Sequence, residues 1–196
     1  KRGVCYGDSQ RGKKDNMTCI VGLNTGEKII IAGDRRGGND FTYGKFQSKV
    51  FKKGKDFIFG VSGSYRIAQL LKYKFTIPRR CEDETVEEYI FTSFTDSIID
   101  LIRNNNCAER CDNIDSMKCE FLIGYKNKLF KMESNFQILE NMKNYDACGS
   151  GSNHALASLY STDGLNISYE DRLKKSIVCA SEFVLSVDNE IDVISI

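Results

Sequence analysis

The sequence predicts an α+β domain: a four-layer α-β-β-α sandwich of two packed antiparallel sheets flanked by helices. Three observations predict it. Apolar runs of strand length come in pairs around turn residues, pairs of amphipathic helix-length segments separate them, and the resulting order is β-β, α-α, β-β, α-α. A chain of 196 residues lies within the one-domain range and can bury a substantial core.

In chain order, residues 19–23 and 28–33 are short apolar runs joined by Asn24-Thr25-Gly26-Glu27, a hairpin turn by composition. Residues 46–51 and 56–61 repeat the pattern around Lys53-Gly54-Lys55. Ile67, Leu70 and Leu71 recur at helical spacing between Ser64 and Lys74, as do Val86, Ile90, Phe94, Ile98, Leu101 and Ile102 between Glu84 and Asn104. A polar connection rich in Cys and Asn at 104–117 leads to strands at 119–125 and 128–132, with a third at 136–139. A helix over 152–161 follows a Gly-Ser turn. A second helix over 169–186 opens with Ser168-x-x-Asp171, a capping-box-like start, and Ile191 to Ile196 closes as a strand.

Composition narrows the function classes. With 28 basic and 27 acidic residues, the net charge of +1 gives no electrostatic case for nucleic acid or a membrane surface as the main partner. No apolar stretch approaches the roughly 20 residues that span a bilayer, and no signal-peptide core is present near residue 1. A cytoplasmic, reducing location is expected. Of the eight cysteines, Cys19, Cys148 and Cys179 lie in apolar or glycine-rich surroundings and read as buried thiols. Cys107-x3-Cys111-x7-Cys119 has a faint zinc spacing but no nearby histidine and no fourth ligand, so it reads as a structural cluster; no metal or other cofactor is expected. Gly149-Ser150-Gly151-Ser152 lacks the Gly-Lys-Ser/Thr ending of a phosphate loop.

The chemistry-bearing stretch is Met17-Thr18-Cys19-Ile20-Val21-Gly22-Leu23, followed by Ala32-Gly33-Asp34 and then Lys49. It puts a hydroxyl at the head of one strand, a carboxylate at the end of the next and a lysine beyond. A threonine with a free α-amine can use that amine as the base for its own hydroxyl. An unperturbed α-amine titrates near ~7.7–8.0, whereas a lysine near ~10.4 stays protonated and supplies fixed charge. Each residue also has a plainer explanation. Thr18 suits a strand opening as a β-branched residue, Asp34 suits a turn, and Lys49 has solvated neighbours in Lys45, Lys52, Lys53 and Lys55. Cys19 is a rival nucleophile. Gly63, within Ser62-Gly63-Ser64 at a strand-to-helix passage, is either backbone punctuation or an N–H donor to an oxyanion. His154, the lone histidine, forms no recognisable triad and reads as a helix-surface residue.

Five motifs in register carry a resemblance. Thr18-Cys19-Ile20-Val21-Gly22-Leu23, Ile31-Ala32-Gly33-Asp34, Ser48-Lys49-Val50, Val61-Ser62-Gly63-Ser64 and Cys148-Gly149-Ser150-Gly151-Ser152 resemble, in order and approximate spacing, the motifs of the proteasome β-subunit/HslV-like family of N-terminal-nucleophile (Ntn) hydrolases. The resemblance runs from residue 18 to about 187. It implies a threonine-type endopeptidase in a self-compartmentalising homo-oligomeric ring, acting on unfolded protein or peptide. It assigns Thr18 as nucleophile, Asp34 as the carboxylate holding Lys49, Gly63 as oxyanion donor and Ser150 as a hydrogen-bonding partner near the nucleophile's amine. With no nucleotide motif in the chain, an ATP-dependent unfoldase would be a separate partner.

Two departures from the family pattern stand out. The late aspartate of proteasome β-subunits is missing, since Ser176 through Val187 offers only Glu182, and HslV-type relatives lack it too. Met17 stands where self-processed members carry glycine. Residues 1–17, with three glycines and five basic residues, read as a solvated leader preceding a domain at 18–196. Its removal would free the Thr18 amine. Retention would favour a catalytically silent assembly or binding domain, and small amides in place of peptides are a third possibility.

Overall fold

The computed structural model describes residues 18–38, 43–111 and 114–196; the leader expected at 1–17 lies outside them. Thirteen strands and five α-helices are placed there, and two sheets form the centre. The first sheet has the order β12-β1-β2-β13, from β1 (Ile20–Asn24), β2 (Ile29–Asp34), β12 (Tyr145–Cys148) and β13 (Ile191–Ser195). The second has the order β11-β10-β9-β6-β5, from β5 (Val50–Lys53), β6 (Phe57–Gly63), β9 (Cys119–Tyr125), β10 (Lys128–Met132) and β11 (Ile138–Glu140). Every pairing within them is antiparallel.

Alternation along the strands divides the interior into three cores. Ile20, Ile29 and Ile31 of the first sheet meet Val50, Ile58, Leu122 and Leu129 of the second between the sheets. Val21, Leu23, Ile30 and Ala32 point outward and are covered by Ala155, Leu159, Leu173 and Ile177 from α4 (Ser152–Ser161) and α5 (Tyr169–Phe183). The outer face of the second sheet, rich in phenylalanine, is covered by α1 (Tyr65–Gln69), α2 (Val86–Tyr89) and α3 (Thr95–Arg103). α1 runs on as a π-helical turn, Leu70–Lys74, and a second π stretch, Ile90–Phe94, joins α2 to α3. Thr85 starts α2 with a reciprocal capping box to Glu88. The expected four layers are the observed ones.

Several boundaries differ from the sequence expectation. β5 begins at Val50 instead of residue 46, because the Ser48 hydroxyl folds back onto the Val50 backbone, accepting from its N–H at 3.3 Å and donating to its carbonyl at 3.0 Å. The polar connection contains a hairpin of β7 (Ala108–Cys111) and β8 (Ile114–Met117), and β3 (Arg36–Gly38) pairs with β4 (Tyr43–Lys45). β12 had no strand signal in the sequence: Asp146 interrupts its apolar residues, yet all four positions are buried. α5 stops at Phe183, where Val184 turns extended. Cys107 packs at the edge of the helical core with its thiol 3.4 Å from the Asn105 carbonyl, and Cys119 is buried within that core. They serve packing there.

The sheets approach closely because glycine sits where side chains would collide. A Cβ on Gly124 would lie 2.3 Å from Ile58 Cγ2 and 2.6 Å from Ile29 Cγ2; one on Gly60 would lie 2.5 Å from Ile20 Cγ2 and 2.6 Å from Ile31 Cγ2. Gly124→Ala is therefore expected to cost about 1–3 kcal/mol through overpacking. A thermal melt checks this, with a fall of about 2–4 °C per kcal/mol for a chain of this size.

Candidate active site

Asp34 is the centre of the site. It ends β2 on the face that carries Ile30 and Ala32, is wholly buried, and each of its carboxylate oxygens accepts two hydrogen bonds. Oδ1 accepts from Lys49 Nζ and from the Cys19 N–H, both at 2.9 Å. Oδ2 accepts from the Arg36 N–H at 3.0 Å and the Asp188 N–H at 3.3 Å. Lys49 is buried as well, just ahead of β5, with its carbonyl accepting from the Val61 N–H at 2.9 Å. Burial pushes the Asp34 carboxyl above and the Lys49 ammonium below their ordinary values, while attraction between the two opposes both shifts. The Cys19 and Asp188 N–H groups add to the stabilisation of the carboxylate.

Thr18 lies two residues before β1 and is 3% exposed. Its backbone is gripped from the opposite side by the turn between β12 and α4. Its carbonyl accepts from Ser150 Oγ at 3.2 Å and the Gly151 N–H at 3.3 Å, and its N–H donates to Ser150 Oγ at 3.4 Å. Gly149 makes this close approach possible: at φ +93° its missing Cβ would lie 2.4 Å from the Thr18 carbonyl oxygen. Ser150 Oγ also lies 2.8 Å from Ser186 Oγ, giving a two-hydroxyl chain that ends at the Thr18 nitrogen. In the 196-residue chain that nitrogen belongs to the peptide bond with Met17.

Gly63 ends β6 at φ +110°, and Ser64 caps α1 without a side-chain hydrogen bond. Together with Lys49, Val61, Tyr65 and Ala68, these two residues line a small recess beside the buried ion pair. A polar group entering it meets the lysine at one wall.

Of the residues singled out from sequence, Thr18, Asp34, Lys49 and Ser150 occupy one contiguous site, and Gly63 borders it through the recess shared with Lys49. Cys19 is a poor rival nucleophile. Its side chain belongs to the core beneath α5, and burial together with the Asp34 charge pushes its thiol far up. Glu182 is exposed on α5, away from the role of the missing aspartate. His154 is exposed on α4 and stacks on Phe183 at 5.4 Å. Ser186 and the Asp188 N–H are the contributors that the sequence did not suggest. Both lie in the loop that the helix expected over 169–186 would have partly consumed; the Asp188-Asn189 pair, a turn signal, was the available hint.

No family model matches the chain, and no curated protein matches it in sequence. Its fold does match solved structures. BPH from Thiobacillus denitrificans superposes with a TM-score of 0.77 at 18% identity, covering 91% of this chain and 97% of that one. Eukaryotic HslV from Trypanosoma brucei gives 0.67 at 16% identity, covering 90% and 98%. The Anbu complex of Pseudomonas aeruginosa, solved as a helical assembly, gives 0.65 at 14% identity, covering 91% and 80%. Two stacked antiparallel sheets between helix layers, with a buried Asp-Lys pair beside the head of the first strand, are thus set in a chain with the proteasome β-subunit/HslV-like fold.

Proposed function

We propose that this chain, once Thr18 is its first residue, is a threonine-type endopeptidase that works as a homo-oligomer on peptides and unfolded protein. The observation that carries the proposal is the shared Asp34 carboxylate, which ties the backbone next to Thr18 and the Lys49 ammonium to one point 2.9 Å from each. A cation fixed there would lower the pKa of a released Thr18 amine and favour negative charge on Oγ. The amine takes the Oγ proton, Oγ attacks the substrate carbonyl carbon, and the acyl group passes to Thr18 as an ester while the amine protonates the leaving nitrogen. Water then cleaves the ester. Ser150 and Ser186 hold the amine in place, and the Gly63 N–H serves the oxyanion.

The neighbours' fold, and the apolar side chains left on the surface, support assembly. Tyr160, Phe183 and Leu185 around α4 and α5 are more than half exposed, as is Tyr73 after α1. Most apolar residues of the helices from α1 to α3 are spent on the core beneath them. Among the described residues no helix is long and apolar enough to cross a membrane. A separate ATP-driven unfoldase would feed folded substrates, because the chain carries no nucleotide motif.

The test is to compare the full chain with one beginning at Thr18, using fluorogenic peptides, electrophiles selective for N-terminal threonine, and sedimentation. The expected result is hydrolysis and one covalent adduct per chain in the shortened form alone, in a particle that is a multiple of 22.2 kDa. Intact mass from the native host should give a chain starting at Thr18. Activity in a protein that keeps Met17 attached would end the threonine-amine mechanism, and a strict monomer would end the compartmental one. A shortened chain that assembles but cleaves nothing would leave the silent assembly domain. Turnover of small amides alone would identify an amidohydrolase.

A further inference from the structure

A second cleft, of about 260 Å³, opens between the β5–β6 turn and the segment that follows the π-helical turn of α1. It is remote from the candidate active site: β6 runs seven residues from Phe57 at the cleft to Gly63, about 20 Å of extended chain. Its floor is aromatic. Phe57 stacks on Tyr125 with ring centroids 4.1 Å apart, and Tyr89 packs at a tilt 5.6 Å from Tyr125. Ile77 and Pro78 also line it, and the Tyr89 hydroxyl is spent on the Pro78 carbonyl at 2.7 Å.

Three cations, Lys53, Lys55 and Arg80, surround this floor, and none forms an ion pair among the described residues. Lys53 donates only to the Lys72 carbonyl, at 2.7 Å. Burial holds its ammonium below the ordinary value, with no neighbouring anion to offset the shift. Arg80 Nε donates to the Glu84 carbonyl at 3.0 Å, which fixes the guanidinium, while its terminal nitrogens make no hydrogen bond among the described residues. The one carboxylate that lines the cleft, Asp56, is held by Lys126 at 3.1 Å, and the Glu84 carboxylate accepts from the Cys81 N–H at 3.2 Å. Positive charge is therefore left unmatched at the cleft.

We infer that this cleft binds a small aromatic carboxylic acid, its ring on the aromatic floor and its carboxylate on Arg80, Lys53 and Lys55. A guanidinium fork matches a carboxylate bidentately. The volume lies at the lower end for small-ligand sites, so a body of one or two rings fills it. The charges alone would suit any anion and the floor alone any apolar molecule; together they select a ligand that carries both features. The site stands whether or not the chain is a hydrolase.

The experiment titrates the full chain with 2-naphthoate by calorimetry, with 2-naphthamide and inorganic phosphate as comparisons. Naphthoate should bind with a Kd of about 0.1–1 mM, the scale for a ligand of this size. The amide and phosphate should each bind at least about tenfold more weakly, and added salt should weaken naphthoate binding. Arg80→Gln should cost about tenfold in affinity. Lys55→Gln, at an exposed position that leaves the fold intact, should cost about threefold. Equal affinity for the amide would reduce the cleft to an apolar site, and equal affinity for phosphate to an anion site; each overturns the inference. So does parental affinity in the Lys55→Gln variant, which keeps the test open if Arg80→Gln fails to fold, or an absence of naphthoate binding at about 10 mM.

Discussion

Thr18→Ala, made in a chain that begins at residue 18, is expected to lower peptide hydrolysis by at least about 10³-fold, the scale of losing a catalytic nucleophile. The loss should be chemical and not structural. Thr18 is held by its own backbone, through its N–H and carbonyl to the 150–151 turn, and alanine retains all of those bonds. Sedimentation and thermal melting of the variant should therefore match the parent closely, while the mass adduct with a threonine-selective electrophile disappears. Thr18→Ser, which keeps the hydroxyl and the amine, should recover part of the rate. Turnover at the parent rate by the alanine variant would move the nucleophile elsewhere.

The second large effect concerns the buried ion pair, and the two halves of the pair are expected to respond unequally. Breaking a buried pair by removing one partner typically costs about 3–5 kcal/mol. Asp34→Leu should reach that range, because it removes the buried carboxylate that accepts from Lys49 Nζ and from three backbone N–H groups, those of Cys19, Arg36 and Asp188. Lys49→Met should cost less, because Asp34 keeps those three donors. It also makes the cost depend on pH in a defined direction. Without the lysine the buried carboxyl titrates further above its ordinary 3.8 than it already does. A carboxyl with a raised folded-state pKa contributes its full stability below the unfolded value and loses it as pH rises through the folded one. The Tm gap between Lys49→Met and the parent should accordingly be small near pH 4 and widen toward neutrality. A gap that narrows over that interval would mean that Asp34 is ionised without help from Lys49. Both variants should be inactive in peptide hydrolysis.

What could be read from the sequence follows from how locally each feature is encoded. β1, β2, β6 and β9 are apolar runs that bury both faces, so their residues alone mark them. Thr18, Asp34, Lys49, Gly63 and Ser150 each sit at a strand end or turn whose local motif carries over in order. β12 was hidden because Asp146 breaks its run, and its burial depends on neighbours distant in sequence. Ser186 and the Asp188 N–H were hidden for a different reason. A serine in a loop has no distinguishing pattern, a backbone N–H has no residue type, and both depend on where α5 stops. The displaced start of β5 came from a side chain bonding to its own backbone, which apolar periodicity does not register.

The reach of the contacts around Thr18 has a consequence for a chain still being made. The hydroxyl under the Thr18 nitrogen comes from 132 residues downstream, and the last donor to Asp34 arrives 154 residues after it. Contacts that distant form late in folding, since the closure of a long loop precedes any return from them. A ribosome that has released the chain as far as β5 has therefore produced the threonine, the aspartate and the lysine without the later groups that surround them in the complete fold. On the proposed function, the site is complete only once the last loop has been made, so synthesis itself would keep an unfinished molecule harmless to its neighbours.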